Sequence, residues 1–471
     1  MITNMNWLLA GANSERRRLA FLICVHIVLC CVSLVYVSQY HDAFHIFYDP
    51  ARPYVAIVVV AAFALVAYPF TRVDFSFGYL VGFYFYTMVL GYLWLNCFSD
   101  LDYDHRLGGL SAAASAVAFL VPALFISSPI RQRYVVSAKA FERLLTLSLV
   151  LGAATIMFSA VYNFRFVFLE RIYDFREGLK FPILLNYWIG ITSNMLLPFA
   201  FGCFVIRRNY WRAGITLALL LLFYPITLSK LAFFTPAWLL AVALLSKLFE
   251  ARTTVVLSLL LPMLFGVILV AIFKWSAIPY FDLVNFRMVA VPSNAMDVYN
   301  EFFSAHDLTY FCQITFLKPM MNCPYQDQLS IVMAKAYQLG NFNASLFSTE
   351  GIASVGPLFA PVSVFVCGLV VALANRLSSG LPPRFILISS AALAPIFLNV
   401  PLTTTLLSHG AGFLFLLWYI TPRAMLQQGP SNNSASLVPR ATREVDAVHD
   451  DADRRAIDGP NPTHYHSVAA D

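Results

Sequence analysis

Charge is scarce in this chain. Only 12% of its 471 residues are Asp, Glu, Lys or Arg, against 59% hydrophobic, and the mean hydropathy is +0.71. A soluble domain carries roughly a quarter charged residues, so the composition excludes that class and predicts an integral membrane protein. Several signatures are missing as well. No Walker loop, dinucleotide fingerprint, zinc motif or Gly-x-Ser-x-Gly elbow is present, so a nucleotide is not expected as a direct substrate, and nucleic acid is not expected as a partner. No internal repeat is visible and few charges fall within apolar runs. Both absences weigh against an alternating-access carrier or an ion-coupled pathway. Arg16, Arg17 and Arg18 precede an apolar run reaching about Ser38 without a small-residue cleavage pattern. That run reads as a signal anchor, not a cleaved leader.

What the chain has is apolar runs of bilayer-spanning length, roughly 20 residues. About twelve are predicted: 19–38, 54–70, 77–98, 109–127, 144–163, 183–206, 213–228, 231–246, 254–273, 352–374, 385–400 and 402–420. With residues 1–18 in the cytoplasm, the inner turns collect most of the cations, among them Arg72, Arg131, Arg133, Arg207, Arg208, Arg212, Arg376 and Arg423, while the short outer turns hold only Arg52, Arg106 and Lys230. This is the positive-inside pattern. Two longer outer segments run against it. One, 164–182, carries Arg165, Arg171, Arg176 and Lys180. The other, 275–350, carries Arg287, Lys318 and Lys335. Residues 423–471 are polar and aperiodic and read as a disordered cytoplasmic tail. Six of the eight cysteines fall in apolar runs, while Cys312 and Cys323 share the larger outer segment. These two either pair, in an oxidising compartment, or remain free thiols.

Four places could carry chemistry. In Phe164–Phe181, helical spacing puts Phe168, Ile172, Phe175 and Leu179 on one face with Arg165, Arg176 and Lys180 on its border. That is an interfacial helix whose cations either hold phosphates or anchor to anionic lipid. In 285–310, Arg287 precedes Asp297, Tyr299, Glu301, Phe302, Phe303, His306 and Tyr310. Aromatic faces and carboxylates of this kind can hold sugars, or they can be interfacial anchors and solvated acids. Lys230 lies between two short runs flanked by Pro225 and Pro236, where a broken helix could line a cavity. Asp100, Asp102, Asp104 and His105 form an acidic turn, but the glycine and final Glu of an EF-hand are missing. His409 reads as a buried, hydrogen-bonded histidine.

The pattern resembles the bacterial O-antigen and exopolysaccharide repeat-unit polymerases of the Wzy type, over most of residues 19–420. The residues that carry it are Asn285-Phe-Arg287, Tyr299-Asn-Glu-Phe-Phe303, Leu308-Thr-Tyr-Phe311, Gly340-Asn-Phe-Asn-Ala344 and Thr349-Glu350-Gly351. Lys230 stands where many relatives have Arg. The resemblance implies an all-α, GT-C-like membrane glycosyltransferase of the bacterial inner membrane with one large extracytoplasmic loop. It would join undecaprenyl-pyrophosphate-linked repeat units at the periplasmic face, with no cofactor and no metal. Membrane lipid and a chain-length regulator would be its other partners. Pyrophosphate is a good leaving group, so cations that stabilise developing negative charge are the main requirement. Arg176 and Arg287 are expected to lead, with Arg165, Arg171, Lys180 and Lys230 holding substrate. Glu301, Asp297, His306 and Glu350 are candidate bases, and Tyr299, Tyr310 and Asn343 candidate glycan contacts. A glycan ligase and a lipid-carrier flippase remain as alternatives.

Overall fold

The computed structural model describes residues 2–41, 44–168, 171–176, 178–314, 316–339, 346–397 and 399–427; of these, the side chains of 2–13, 173, 176, 346 and 427 are not described. The chain is all-helical, with 76% helix and no strand among the described residues. Among those residues ten helices are long and apolar enough to cross a membrane: α1 (Ser14–Tyr40), α2 (Pro53–Thr71), α3 (Phe77–Leu95), α4 (His105–Phe125), α5 (Ala138–Ala160), α6 (Ile183–Ile206), α7 (Tyr210–Thr227), α8 (Lys230–Leu248), α9 (Ala251–Ala305) and α10 (Phe347–Ser378). The protein is a polytopic membrane protein.

These helices coincide with the first ten predicted runs. The expected spans 385–400 and 402–420 do not form as continuous helices. They are broken into Pro383–Ser390, Ala394–Phe397, Leu402–Leu407 and Ala411–Ile420. Pro395 and Pro401 interrupt the helical ladder, and Gly410 takes a φ of +79°.

Polar residues set several helix starts. The Ser76 side chain accepts from the Tyr79 N–H, Asp104 from the Arg106 and Leu107 N–H groups, and Ser137 from the Ala140 N–H, each satisfying donors a helix start leaves unpaired. Every residue of α3 is buried, and it packs against α1, α2, α4, α9 and α10. Its tightest approach is at Gly78, where a Cβ would lie 2.0 Å from the Ala123 carbonyl oxygen. Asn375 of α10 seals that crossing, accepting from the Gly78 N–H at 2.7 Å and donating to the Ala123 carbonyl at 2.7 Å.

Two helices reverse or break, and both breaks shape the candidate site. In α9 the regular helix ends at Phe273, and Lys274 has a φ of +50°. The chain then folds back. Tyr280 donates to the Pro262 carbonyl at 3.3 Å, while Asn285 donates to the Met263 carbonyl at 2.8 Å and to Ser33 Oγ at 2.9 Å. Asp282–Ala290 is wound as a π-helix and leads into the helix Val291–Ala305. The segment 275–350 is therefore not solvated throughout. Its first third is helical, and Asn285, Asn294 and Asp297 in it are buried. In α10 the reversal is at Gly356, with φ +75° and ψ 168°. A Cβ on Gly351 would lie 3.1 Å from the Ala360 Cα, so the two arms run side by side as a hairpin. The Thr309 and Tyr310 N–H groups donate to the Ala353 and Ser354 carbonyls at 2.8 and 3.1 Å.

Candidate functional site

Three polar groupings lie on the side of the bundle that the charge bias assigns to the outside. The first surrounds Asp297, which is 1% exposed. Ser99 donates to one of its carboxylate oxygens at 2.7 Å, and the Tyr103 hydroxyl donates to the other. The same phenol lies 2.8 Å from Asn96 Oδ1 and 3.0 Å from the Tyr92 hydroxyl. It has one proton, and given to the Asp297 carboxylate that proton leaves Asn96 Oδ1 to find its donor elsewhere. His105 Nδ1, 3.0 Å from Asn96 Oδ1, is the other donor available to Asn96. Asn300 Nδ2 closes the chain by donating to the Tyr92 hydroxyl at 3.1 Å. Burial, then the adjacent Tyr92 and Asp297, pushes the Tyr103 phenol well above its usual range. Glu301 stands beside this network, within electrostatic reach of His306, Asp102, Asp297 and His45.

The second grouping is cationic. The chain after α5 is laid across the break between α7 and α8, where Leu228 has a φ of +45°. Asn163 donates to the Pro225 and Ile226 carbonyls at 3.0 and 2.9 Å, the Arg165 N–H to the Pro225 carbonyl at 2.9 Å, and the Tyr224 hydroxyl to the Val167 carbonyl. The five-residue helix Ile172–Arg176 follows. Its Ile172 packs with Tyr224 and Leu228, with Phe175, Leu179 and Phe233 around them. This seats the loop on the chain entering Lys230, the first residue of α8. Arg165 and Lys180 are exposed. Arg171, also exposed, lies 3.5 Å from Asp174 and over the Phe175 ring. The helix is shorter than the spacing suggests, and the side chain of Arg176 lies outside the described residues.

The third is Glu350, on the first arm of the α10 hairpin. The Leu402 backbone N–H points at its carboxylate, and Cys367 of the second arm and Tyr299 of α9 lie within electrostatic reach. Glu350 is half-buried, and an ionisable side chain in a membrane bundle is a candidate for function because its burial is costly.

The remaining predicted residues divide by exposure. Arg287 is exposed on the π-helical turn, whose neighbours are α1, α3 and the first part of α9. Tyr310 is 63% exposed with a φ of +46°. His306 is exposed and stacks on Phe302 at 4.0 Å between ring centroids. Tyr299, Phe302 and Phe303 are buried with Leu329, Met333 and Ile352, so these aromatics face protein and present no open platform for a sugar. Asn343 lies outside the described residues. Cys312 and Cys323 are joined as a disulfide. Among the described residues no cluster of three His, Cys, Asp or Glu could hold a metal ion.

Sequence reasoning missed Tyr103, Ser99, Asn96, Tyr92 and Asn300. Tyr103 sits between Asp102 and Asp104 in the acidic turn, and nothing in its spacing points to an aspartate on α9.

The sequence matches no family model, and comparison with curated proteins and solved structures gives no match.

Proposed function

We propose that the protein is a GT-C-like glycosyltransferase of the bacterial inner membrane that polymerises undecaprenyl-pyrophosphate-linked repeat units at the periplasmic face. The reading rests on the family resemblance, and one structural observation carries it furthest. A loop bearing Arg165, Arg171 and Arg176 is seated on the broken helix that leads into Lys230. Cations at the edge of the bilayer are what a lipid diphosphate needs as its bond to the glycan breaks. The disulfide between Cys312 and Cys323 fits an oxidising compartment on that side.

In this reading Arg165, Arg171, Arg176 and Lys230 hold the donor diphosphate. Arg287 stabilises charge from the π-helical turn, and the acceptor glycan runs over the surface near Glu301, His306 and Tyr310. Glu301 is the base best placed for an acceptor hydroxyl, since Asp297 is buried and occupied by Ser99 and Tyr103. A chain-length regulator would act as a partner.

A second reading, a carrier for lipid-linked glycan, is favoured by the helix breaks at Leu228, Lys274 and Gly356, since discontinuous helices are a hallmark of transporters. One experiment separates the two. The gene is deleted in its host and complemented with wild type, Lys230→Gln or Arg287→Ala at matched membrane levels, and surface glycan is resolved on a gel. Polymerase function requires the ladder to collapse to single repeat units on deletion, with the variants restoring less than about a tenth of the long chains. Repeats accumulating only on the cytoplasmic side would instead identify the carrier.

A further inference from the structure

A second site lies at the opposite end of the bundle, where α5 and α7 meet. A groove of about 710 Å³ is lined there by Glu142, Arg143, Leu144, Leu147, Val150 and Arg212, among others. Glu142 bridges two cations, pairing with Arg207 and lying 3.7 Å from Arg212. Arg143 lines the same groove, so Glu142 is outnumbered by the guanidinium groups around it and the groove mouth carries net positive charge.

The order of residues along α5 shows what shape of ligand fits. Arg143, Leu147 and Val150 are spaced i, i+4 and i+7, so they lie on one helix face. Arg143 is exposed, and Leu147 and Val150, 49% and 57% exposed, continue the stripe along the helix. A cation followed by unpartnered apolar side chains matches a charged head above an acyl chain. Tyr210 and Trp211, 63% and 80% exposed, stand beside Arg212 at the start of α7, as aromatic side chains do at the membrane–water boundary. A soluble phosphate would use the guanidiniums but leave the apolar stripe uncovered.

We propose that this groove is a binding site for an anionic phospholipid of the adjacent leaflet, its phosphate on Arg143 and Arg212 and one acyl chain along Leu147 and Val150. Glu142 limits its strength by neutralising Arg207 and part of Arg212. The site is independent of glycan transfer and stands whether or not the proposed function does.

The test is native mass spectrometry of the full-length protein, released from detergent with equimolar phosphatidylglycerol and phosphatidylcholine. Retention of phosphatidylglycerol over phosphatidylcholine is expected. Arg143→Gln, at an exposed position, should reduce that retention about fivefold, as loss of one interfacial cation implies. Glu142→Gln, which keeps shape and removes the competing charge, should increase it. Thermal unfolding of both variants checks that the fold is kept. Equal retention of the two lipids, an unchanged preference in Arg143→Gln, or displacement of the bound lipid by millimolar inorganic phosphate would each overturn the proposal, the last by showing a phosphate site without a lipid requirement.

Discussion

Tyr103 and Asp297, far apart in sequence, share a hydrogen bond in which the phenol donates to a carboxylate that is 1% exposed. Ser99 satisfies the other oxygen. The pair ties the turn between α3 and α4 to the folded-back part of α9.

Removing the phenol while keeping the carboxylate leaves a buried acceptor short of a partner, which costs about 1–3 kcal/mol. Tyr103→Phe should therefore lower the thermal unfolding temperature of the purified protein. The same substitution made on Asp297→Asn should cost clearly less, because the charge that needed the donor has gone. Equal costs in the two backgrounds would mean that the pair is not coupled.

Glu350 separates structural from chemical roles. Glu350→Gln keeps an oxygen for the Leu402 N–H, so thermal stability should change little, within about 1 kcal/mol. If the carboxylate handles a proton or a charged substrate, the glycan ladder should nonetheless shorten at unchanged protein level. A normal ladder in Glu350→Gln combined with an unstable Glu350→Ala would assign the residue to the hairpin alone.

Gly356 sits where φ is +75° and ψ 168°, a region that side chains avoid at a cost of about 1–3 kcal/mol. Space is not the obstacle, since a Cβ there would come no closer than 3.8 Å to Leu308. Gly356→Ala should lower the unfolding temperature through backbone strain alone. No change would mean that the hairpin turn relaxes freely.

Cys312 and Cys323 should resist a membrane-impermeant maleimide until a reductant is added, then label from the side carrying the loop. Of the six other cysteines Cys24 is exposed and Cys97 lies in the turn after α3, so the measurement uses a variant retaining only this pair. Labelling without reductant would show that the two thiols are free.

Much of the helical frame was legible. Ten apolar runs became ten helices because bilayer length is written directly in composition. The last two predicted spans failed because Pro395, Pro401 and Gly410 interrupt them, and an apolar run does not reveal whether its helix survives such breaks. The polar stretch after Trp275 misled for a different reason. Asn285, Asn294, Asp297 and Asn300 look wet in sequence, yet each meets partners on α1, α3, the turns beside them or the first part of α9. Burial of a polar residue depends on partners hundreds of positions away, and periodicity carries no record of them. The helical spacing in 164–182 was only partly realised, as the five-residue helix Ile172–Arg176, and its seat on Pro225–Leu228 was not legible, since that contact runs through backbone carbonyls that any sequence supplies.

The fold-back at Lys274 also bears on how the protein is made. The stretch from Ile278 to Ala305 holds amides, three carboxylates (Asp282, Asp297 and Glu301) and Arg287, each penalised on leaving the translocon alone, Asp by about 2.5–3.5 kcal/mol at mid-helix. It therefore has no reason to partition into lipid as it emerges from the ribosome. Its place is made by surfaces of α1 and α3, by the preceding stretch of α9 and by α10, which is synthesised after it. The segment is therefore expected to reach its final place late, once α10 has joined the helices made before it, as a ligand of its own bundle.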